Sequence, residues 1–147
     1  MAYYASPVIE HFLRPCRQGT LAAADGVGTL GTVGEGTFVE MSLVVQDGRI
    51  AAARFRSFTC PVGVAACDVT ALSVEGMTLD EARALTPQAV AAALGGVPEE
   101  KMSRCRWAVA ALRLAVGAAL DSQHATASTS NPELLATSKS SAKESLE

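Results

Sequence analysis

Two alternating runs, Val39 to Val45 and Arg49 to Phe58, flank Gln46-Asp47-Gly48, and the second leads directly into Cys60-Pro61. Asp-Gly between alternating runs is a strong hairpin signal, because both turn residues must adopt positive φ. Pro61 suits the first position of a helix, where its missing N–H is no loss. The chain is therefore committed to an antiparallel pair that ends at a helix N-terminus, with Cys60 at the junction. Unpaired backbone N–H groups and the helix dipole favour a thiolate there, the form that binds soft metals or attacks electrophiles.

The other elements follow from caps and periods. Ser6-Pro7 opens a short helix through Leu13, which Pro15 stops. Glycines from Gly26 to Gly36 suit a first strand with irregular edges and a loop. They form no phosphate loop, since no G-x-x-x-x-G-K-[ST] occurs. Pro61 to about Val74 reads as an apolar helix closed by Gly76, and Thr78-Leu-Asp-Glu81 as a capping box. Thr86-Pro87 opens a further helix ending at Gly95-Gly96, and the last helix begins between Pro98 and Arg104. Its run Trp107 to Leu120 is apolar on nearly all faces, which implies burial on several sides. Arg113 interrupts that run, and it falls short of the ~20 residues a membrane span needs. Strands first and helices afterwards predict an α+β domain: a small antiparallel sheet of about three strands with helices packed on one face.

With 147 residues, 49% of them hydrophobic, the chain can bury one core. A single domain is expected over residues 1–121. Beyond Leu120 the composition turns to Ser, Thr, Asn, Lys and Glu, so residues 122–147 are expected to form a disordered tail. The net charge of −3 and the lack of a basic run argue against nucleic acid as a partner. The N-terminal residues have neither the basic segment nor the apolar stretch of a secretory signal, which predicts a cytoplasmic, reducing setting with free thiols.

The four cysteines, Cys16, Cys60, Cys67 and Cys105, contain no C-x-x-C pair, so spacing alone indicates neither a zinc ribbon nor a redox motif. A free cysteine is most often a small buried hydrophobe. Cys67 lies two helical turns beyond Cys60, ~10 Å by helical rise, too far for both to bind one metal ion. It is either a core thiol or a ligand to something larger. Cys16, in a turn, is read as incidental. His11 is expected to be packed or hydrogen-bonded rather than a ligand, and with His124 it builds no serine–histidine–acid arrangement. Glu99-Glu100 reads as a solvated helix start, so hydrolase chemistry has no support.

The order and spacing of several segments carry a resemblance over about residues 3 to 121. They are Tyr4 with Val8-Ile-Glu-His-Phe12, Arg14-Pro15, Gly19, Asp25-Gly-Val-Gly28 and Ala53-Arg-Phe-Arg-Ser-Phe58. Cys60, Gly76-Met-Thr-Leu-Asp-Glu-Ala82, Leu94-Gly-Gly-Val-Pro98 and Lys101-Met102 before Cys105 complete the set. Together they resemble the IscU / NifU N-terminal family of iron–sulfur cluster assembly scaffolds.

The resemblance implies the same α+β fold and a cluster pocket of three cysteines, an aspartate and sometimes a histidine. Two of the cysteines map onto Cys60 and Cys105. The C-G-D segment that supplies the first thiolate and the aspartate is replaced within Gly34 to Glu40, where Glu40 stands in for the aspartate and Glu35 competes with it. The family's H-C pair becomes Lys101-Met-Ser-Arg-Cys105, with one extra residue and Arg104 in place of histidine. A guanidinium has no lone pair for a metal, so Arg104 is no ligand. It can stabilise a thiolate or a cluster anion by charge-assisted hydrogen bonding, or lie on the surface as helix-start arginines usually do.

The function so implied is a non-enzymatic scaffold or carrier that holds a labile [2Fe-2S] or [4Fe-4S] cluster on Cys60 and Cys105, with Glu40 or Cys67 completing the site. Sharing between the subunits of a homo-oligomer suits so incomplete a ligand set. A cysteine desulfurase as sulfur donor and apoprotein clients are the implied partners. Val97-Pro-Glu-Glu-Lys101 replaces the apolar pair of the family's chaperone-docking segment by acids, so the usual Hsp70-type docking is not expected. The alternatives are a degenerate member acting as a metal-free interaction module, or a zinc-binding one.

Overall fold

A computed structural model describes residues 5–128. Helix α1 (Ser6–Leu13) precedes strands β1 (Gly26–Leu30), β2 (Phe38–Gln46) and β3 (Arg49–Phe58). Helices α2 (Pro61–Val74), α3 (Leu79–Arg83) and α4 (Pro87–Ala93), a 3-10 turn at Glu99–Lys101 and α5 (Met102–Ser128) follow. The sheet is antiparallel in the order β1-β2-β3. The expected α+β architecture is thus present. The expected tail, residues 122–147, overlaps the end of α5, and its residues beyond Ser128 lie outside the described residues.

Local chemistry places these elements. Asp47 and Gly48 adopt φ of 53° and 77°, the positive values that the hairpin between β2 and β3 demands. Thr78 and Glu81 complete the capping box, and Thr86 caps α4 through the N–H of Ala89. Along β2, Val39, Met41 and Leu43 point into the core, as do Ile50, Ala53 and Phe55 of β3. Helix α2 lies over β3, and α5 over β1 and β2. The opposite sheet face carries Glu40, Arg54 and Arg56 at paired positions.

The outer edge of β3 is closed along most of its length. Arg17 and Gly19 exchange backbone hydrogen bonds with Phe55, and Gly76 and Met77 do so with Ile50. Between them the N–H of Ala53 donates to Glu75 Oε2 at 3.0 Å.

On the other side, α5 approaches β1 so closely that no side chain fits between them. A Cβ on Gly28 would lie 2.1 Å from the carbonyl oxygen of Ala111, and one on Gly26 the same distance from that of Ala115. Gly117, on the same helix, has open space around it. Gly28→Ala is expected to destabilise the fold by about 3 kcal/mol, as overpacking against rigid backbone does. Gly117→Ala should stabilise it by about 0.5–1 kcal/mol through helix propensity. Urea unfolding of the two variants checks both signs.

Candidate functional site

Strand β3 passes into α2 through Thr59 and Cys60, and Cys60 takes the extended N-cap conformation with φ −71° and ψ 168°. The turn is tight. A Cβ on Gly63 would fall 2.4 Å from Thr59 Oγ1, so only glycine lets the first turn of α2 close over the end of the strand. Cys60 is left half-buried at that corner, with its sulfur facing the start of α5.

The group that meets it is Arg104. Its Nε donates to Cys60 Sγ at 3.4 Å, and another guanidinium nitrogen donates to Ser103 Oγ at 2.8 Å. Burial alone would push the Cys60 thiol up. The Arg104 hydrogen bond, the N–H groups of Gly63 and Val62 directed at the sulfur, and the Arg104 charge outweigh it, and the net displacement is downward. The corner therefore holds a thiolate-prone sulfur beside a fixed cation. That is the charge-assisted role the sequence leaves open for Arg104.

The other anticipated residues lie elsewhere. Cys105 is fully buried and heads a stripe with Ala108, Val109, Leu112, Ala115, Val116 and Ala119, all of them core residues. Burial raises its thiol, and Arg106 only partly offsets this. Cys67 is also in the core, where burial, helped by the Asp68 and Cys105 charges, pushes it up to about 12. Glu40 lies on the sheet face away from the helices, held by two hydrogen bonds from Arg56 of 2.9 and 3.0 Å. Glu35 is exposed in the loop between β1 and β2. Among the described residues, no three His, Cys, Asp or Glu side chains converge into a group able to hold a metal ion.

The extra residue before Cys105 has a geometric effect. Successive helix positions differ by about 100°, so Arg104 and Cys105 cannot share a direction. The i, i+3, i+4, i+7 stripe of small apolar residues that starts at Cys105 carries this information in the sequence. It assigns Cys105 to the core and Arg104 to the flank that meets Cys60.

Sequence reasoning also missed a cluster beneath α1. Asp68, fully buried on α2, accepts from His11 Nδ1 at 2.5 Å, from the backbone N–H of Arg17 at 2.8 Å and from Cys16 Sγ at 3.7 Å. One acidic residue inside the apolar run of α2 was the available signal, because a buried carboxylate must be partnered. His11 is hydrogen-bonded, as its position in α1 suggests.

Comparison with known proteins agrees with this architecture. The profile of the NifU-like N terminal domain matches residues 3–126. The chain is 37% identical over 113 residues to the iron–sulfur cluster assembly scaffold protein IscU 1 of Archaeoglobus fulgidus, covering 77% of this chain and 74% of that protein. It is 36% identical over 110 residues to the nitrogen fixation protein NifU of Cereibacter sphaeroides, covering 75% of this chain but 45% of that longer protein. The crystal structure of a NifU-like N-terminal protein from Brucella abortus superposes with a TM-score of 0.65 at 21% identity, covering 79% of this chain and 93% of that one.

Replacing Arg104 by methionine removes both the hydrogen bond and the charge on Cys60. The midpoint of the pH profile for iodoacetamide alkylation of Cys60, recorded in a Cys16→Ser background, should move up in the Arg104→Met protein. An unmoved midpoint would show that Arg104 does not set the thiol's acidity.

Proposed function

The chain belongs to the NifU-like N-terminal domain family, and from that premise we propose that it is a non-enzymatic iron–sulfur cluster scaffold or carrier working through Cys60. The observation that carries this reading is the pairing of a thiolate-prone Cys60 with Arg104 at the corner where α2 begins. Thiolate is the ligand that iron–sulfur clusters use, and an adjacent guanidinium offsets the negative charge of thiolate-bound cargo.

A single cysteine held beside a cation, Cys60, sets the character of the carrier; Cys16 is exposed as well, but its thiol donates to Asp68. Cys105 and Cys67 lie in the core with raised pKa, so in this arrangement they serve packing, and Glu40 is committed to Arg56. The remaining positions on the irons are then filled from outside the chain, by Cys60 of a second copy, by small thiols or by the cysteines of a client. Such a cluster is labile, which suits transfer. A sulfur donor such as a cysteine desulfurase and apoprotein clients are the corresponding partners. The acidic 3-10 turn at Glu99–Lys101 lacks the apolar pair of the usual chaperone-docking segment, so the carrier works without it. A reducing cytoplasm, in which Cys60 stays free, is the setting we assign; no helix among the described residues is long and apolar enough to cross a membrane.

That no three-ligand group converges among the described residues favours one second reading, a metal-free interaction module built on the same fold. Zinc fits less well, because a structural zinc site needs four protein ligands.

Anaerobic reconstitution with iron and sulfide separates these readings. The wild-type protein should develop thiolate-to-iron absorption with bound iron and sulfide in equal amounts. Cys60→Ser should abolish the colour, whereas Cys105→Ser and Glu40→Gln should retain most of it. A wild-type protein that stays colourless and carries no metal would leave the interaction module. Loss of the cluster in Cys105→Ser with Cys60→Ser unaffected would overturn the assignment to Cys60.

A further inference from the structure

Only half of the Arg104 fork is occupied. Nε and Nη2 of an arginine carry parallel N–H bonds on one side of the guanidinium, and Arg56 uses both on Glu40, at 2.9 and 3.0 Å. On Arg104 the Nε of this pair donates to Cys60 Sγ at 3.4 Å, while Nη1 is anchored on Ser103 Oγ at 2.8 Å. Nη2 makes no hydrogen bond or ion pair among the described residues. An unspent donor therefore runs parallel to the one that grips the sulfur. An oxygen in contact with that sulfur, or bonded to it, would complete the fork. No neighbouring thiol competes for the place: Cys67 and Cys105 lie in the core, and Cys16 donates to Asp68.

We propose that Cys60 reduces hydroperoxides, with Arg104 holding the sulfur through Nε and the approaching oxygen through Nη2. A sulfur lone pair of the thiolate attacks the terminal oxygen of the hydroperoxide, so an S–O bond forms as the O–O bond breaks. The sulfur gives up two electrons and becomes a sulfenic acid. The leaving alkoxide, or hydroxide in the case of hydrogen peroxide, takes a proton from water. The guanidinium offsets the negative charge that develops on the peroxide as the O–O bond stretches. In the product, sulfur and oxygen occupy Nε and Nη2 together, as the two oxygens of Glu40 do on Arg56. A small-molecule thiol from solution restores the site: one equivalent displaces the oxygen as water and leaves a mixed disulfide, and a second releases free Cys60. While the oxygen is in place the sulfur is closed to cargo. The inference shares Cys60 with the proposed carrier but needs no cargo, since it concerns the apoprotein.

The test compares two electrophiles on the metal-free full chain in a Cys16→Ser background. Iodoacetamide needs no donor at its leaving iodide, whereas the peroxide needs one at its leaving oxygen. Both rates are measured on the plateau of the alkylation profile, where Cys60 is ionised with or without Arg104, so acidity drops out of their ratio. Sulfenic acid trapped with dimedone after hydrogen peroxide should be found on Cys60 by mass spectrometry. The peroxide-to-iodoacetamide rate ratio should be about tenfold or more higher in the folded protein than in the same chain unfolded in urea, the low end of what one oxyanion donor contributes. Arg104→Met should lower the ratio by about the same factor. A cooperative urea transition shows that this variant is folded, and the comparison of the parent protein with its own unfolded chain needs no variant. A ratio equal in the folded and unfolded chains overturns the proposal. So does a folded Arg104→Met protein with an unchanged ratio, or dimedone labelling absent from Cys60. Reconstitution with iron and sulfide is scored separately, so failure of the peroxide reaction leaves the carrier standing, and a protein that reduces peroxide without taking up a cluster loses only the carrier.

Discussion

Everything at the Cys60 corner depends on how closely α5 lies against β1. Gly26 and Gly28 let the helix backbone rest on the strand backbone around Ala111, Ala115 and Ala119, which fixes both the height and the rotation of the helix. With the rotation fixed there, the direction of every side chain on α5 follows, including those of its first turn. Arg104 faces Cys60, and Cys105 faces the core, because small residues further along the helix leave no other angle open. A bulkier contact would lift the helix from the sheet and loosen the hold of Arg104 on the thiol.

A second constraint comes from two carboxylates, the buried Asp68 of α2 and the partly buried Glu75 that caps its C-terminus. Seven residues apart, they lie about two turns from one another on the same side of the helix, and both reach to the segment after α1. Asp68 collects His11 and the backbone of Arg17, while Glu75 binds Arg17 and Arg54 at 2.9 and 3.0 Å and the N–H of Ala53. Removing either acid would strand several part-buried donors, a loss that costs more than that of an exposed ion pair. The N-terminal segment is thereby pinned to α2 and β3, with the outer side of α1 left uncovered.

Most of the framework was legible in the sequence because it is written in local chemistry. Asp47-Gly48, Thr78 with Glu81, and Thr86-Pro87 each dictate a backbone conformation within a few residues. The site was legible only in part. Cys60 could be placed, since its neighbours Phe58 and Pro61 fix a strand end and a helix start. The direction of Cys105 could not be taken from motif spacing, because one additional residue before it rotates the helix face. It could be taken from the apolar stripe that follows. Glu40 was ambiguous for a related reason: in a strand, a shift of one residue exchanges the two faces. Its pairing with Arg56 depends on a register that the glycine-rich loop before β2 conceals. The cluster around Asp68 involves residues more than fifty positions apart, beyond any local signal.

The covered edge of β3 has a further consequence, for how this fold avoids sticking to itself. A free strand edge is a template on which another chain can add a strand, and small sheets are prone to growing into aggregates in this way. The longest outer strand here is closed by the residues around Gln18 and Gly76, which leaves β1 as the open side of the sheet among the described residues. β1 is short, and two of its five residues are glycines. A strand so brief and so poor in side chains gives an incoming chain little to grip, so neither edge of this sheet is a ready template for a further strand.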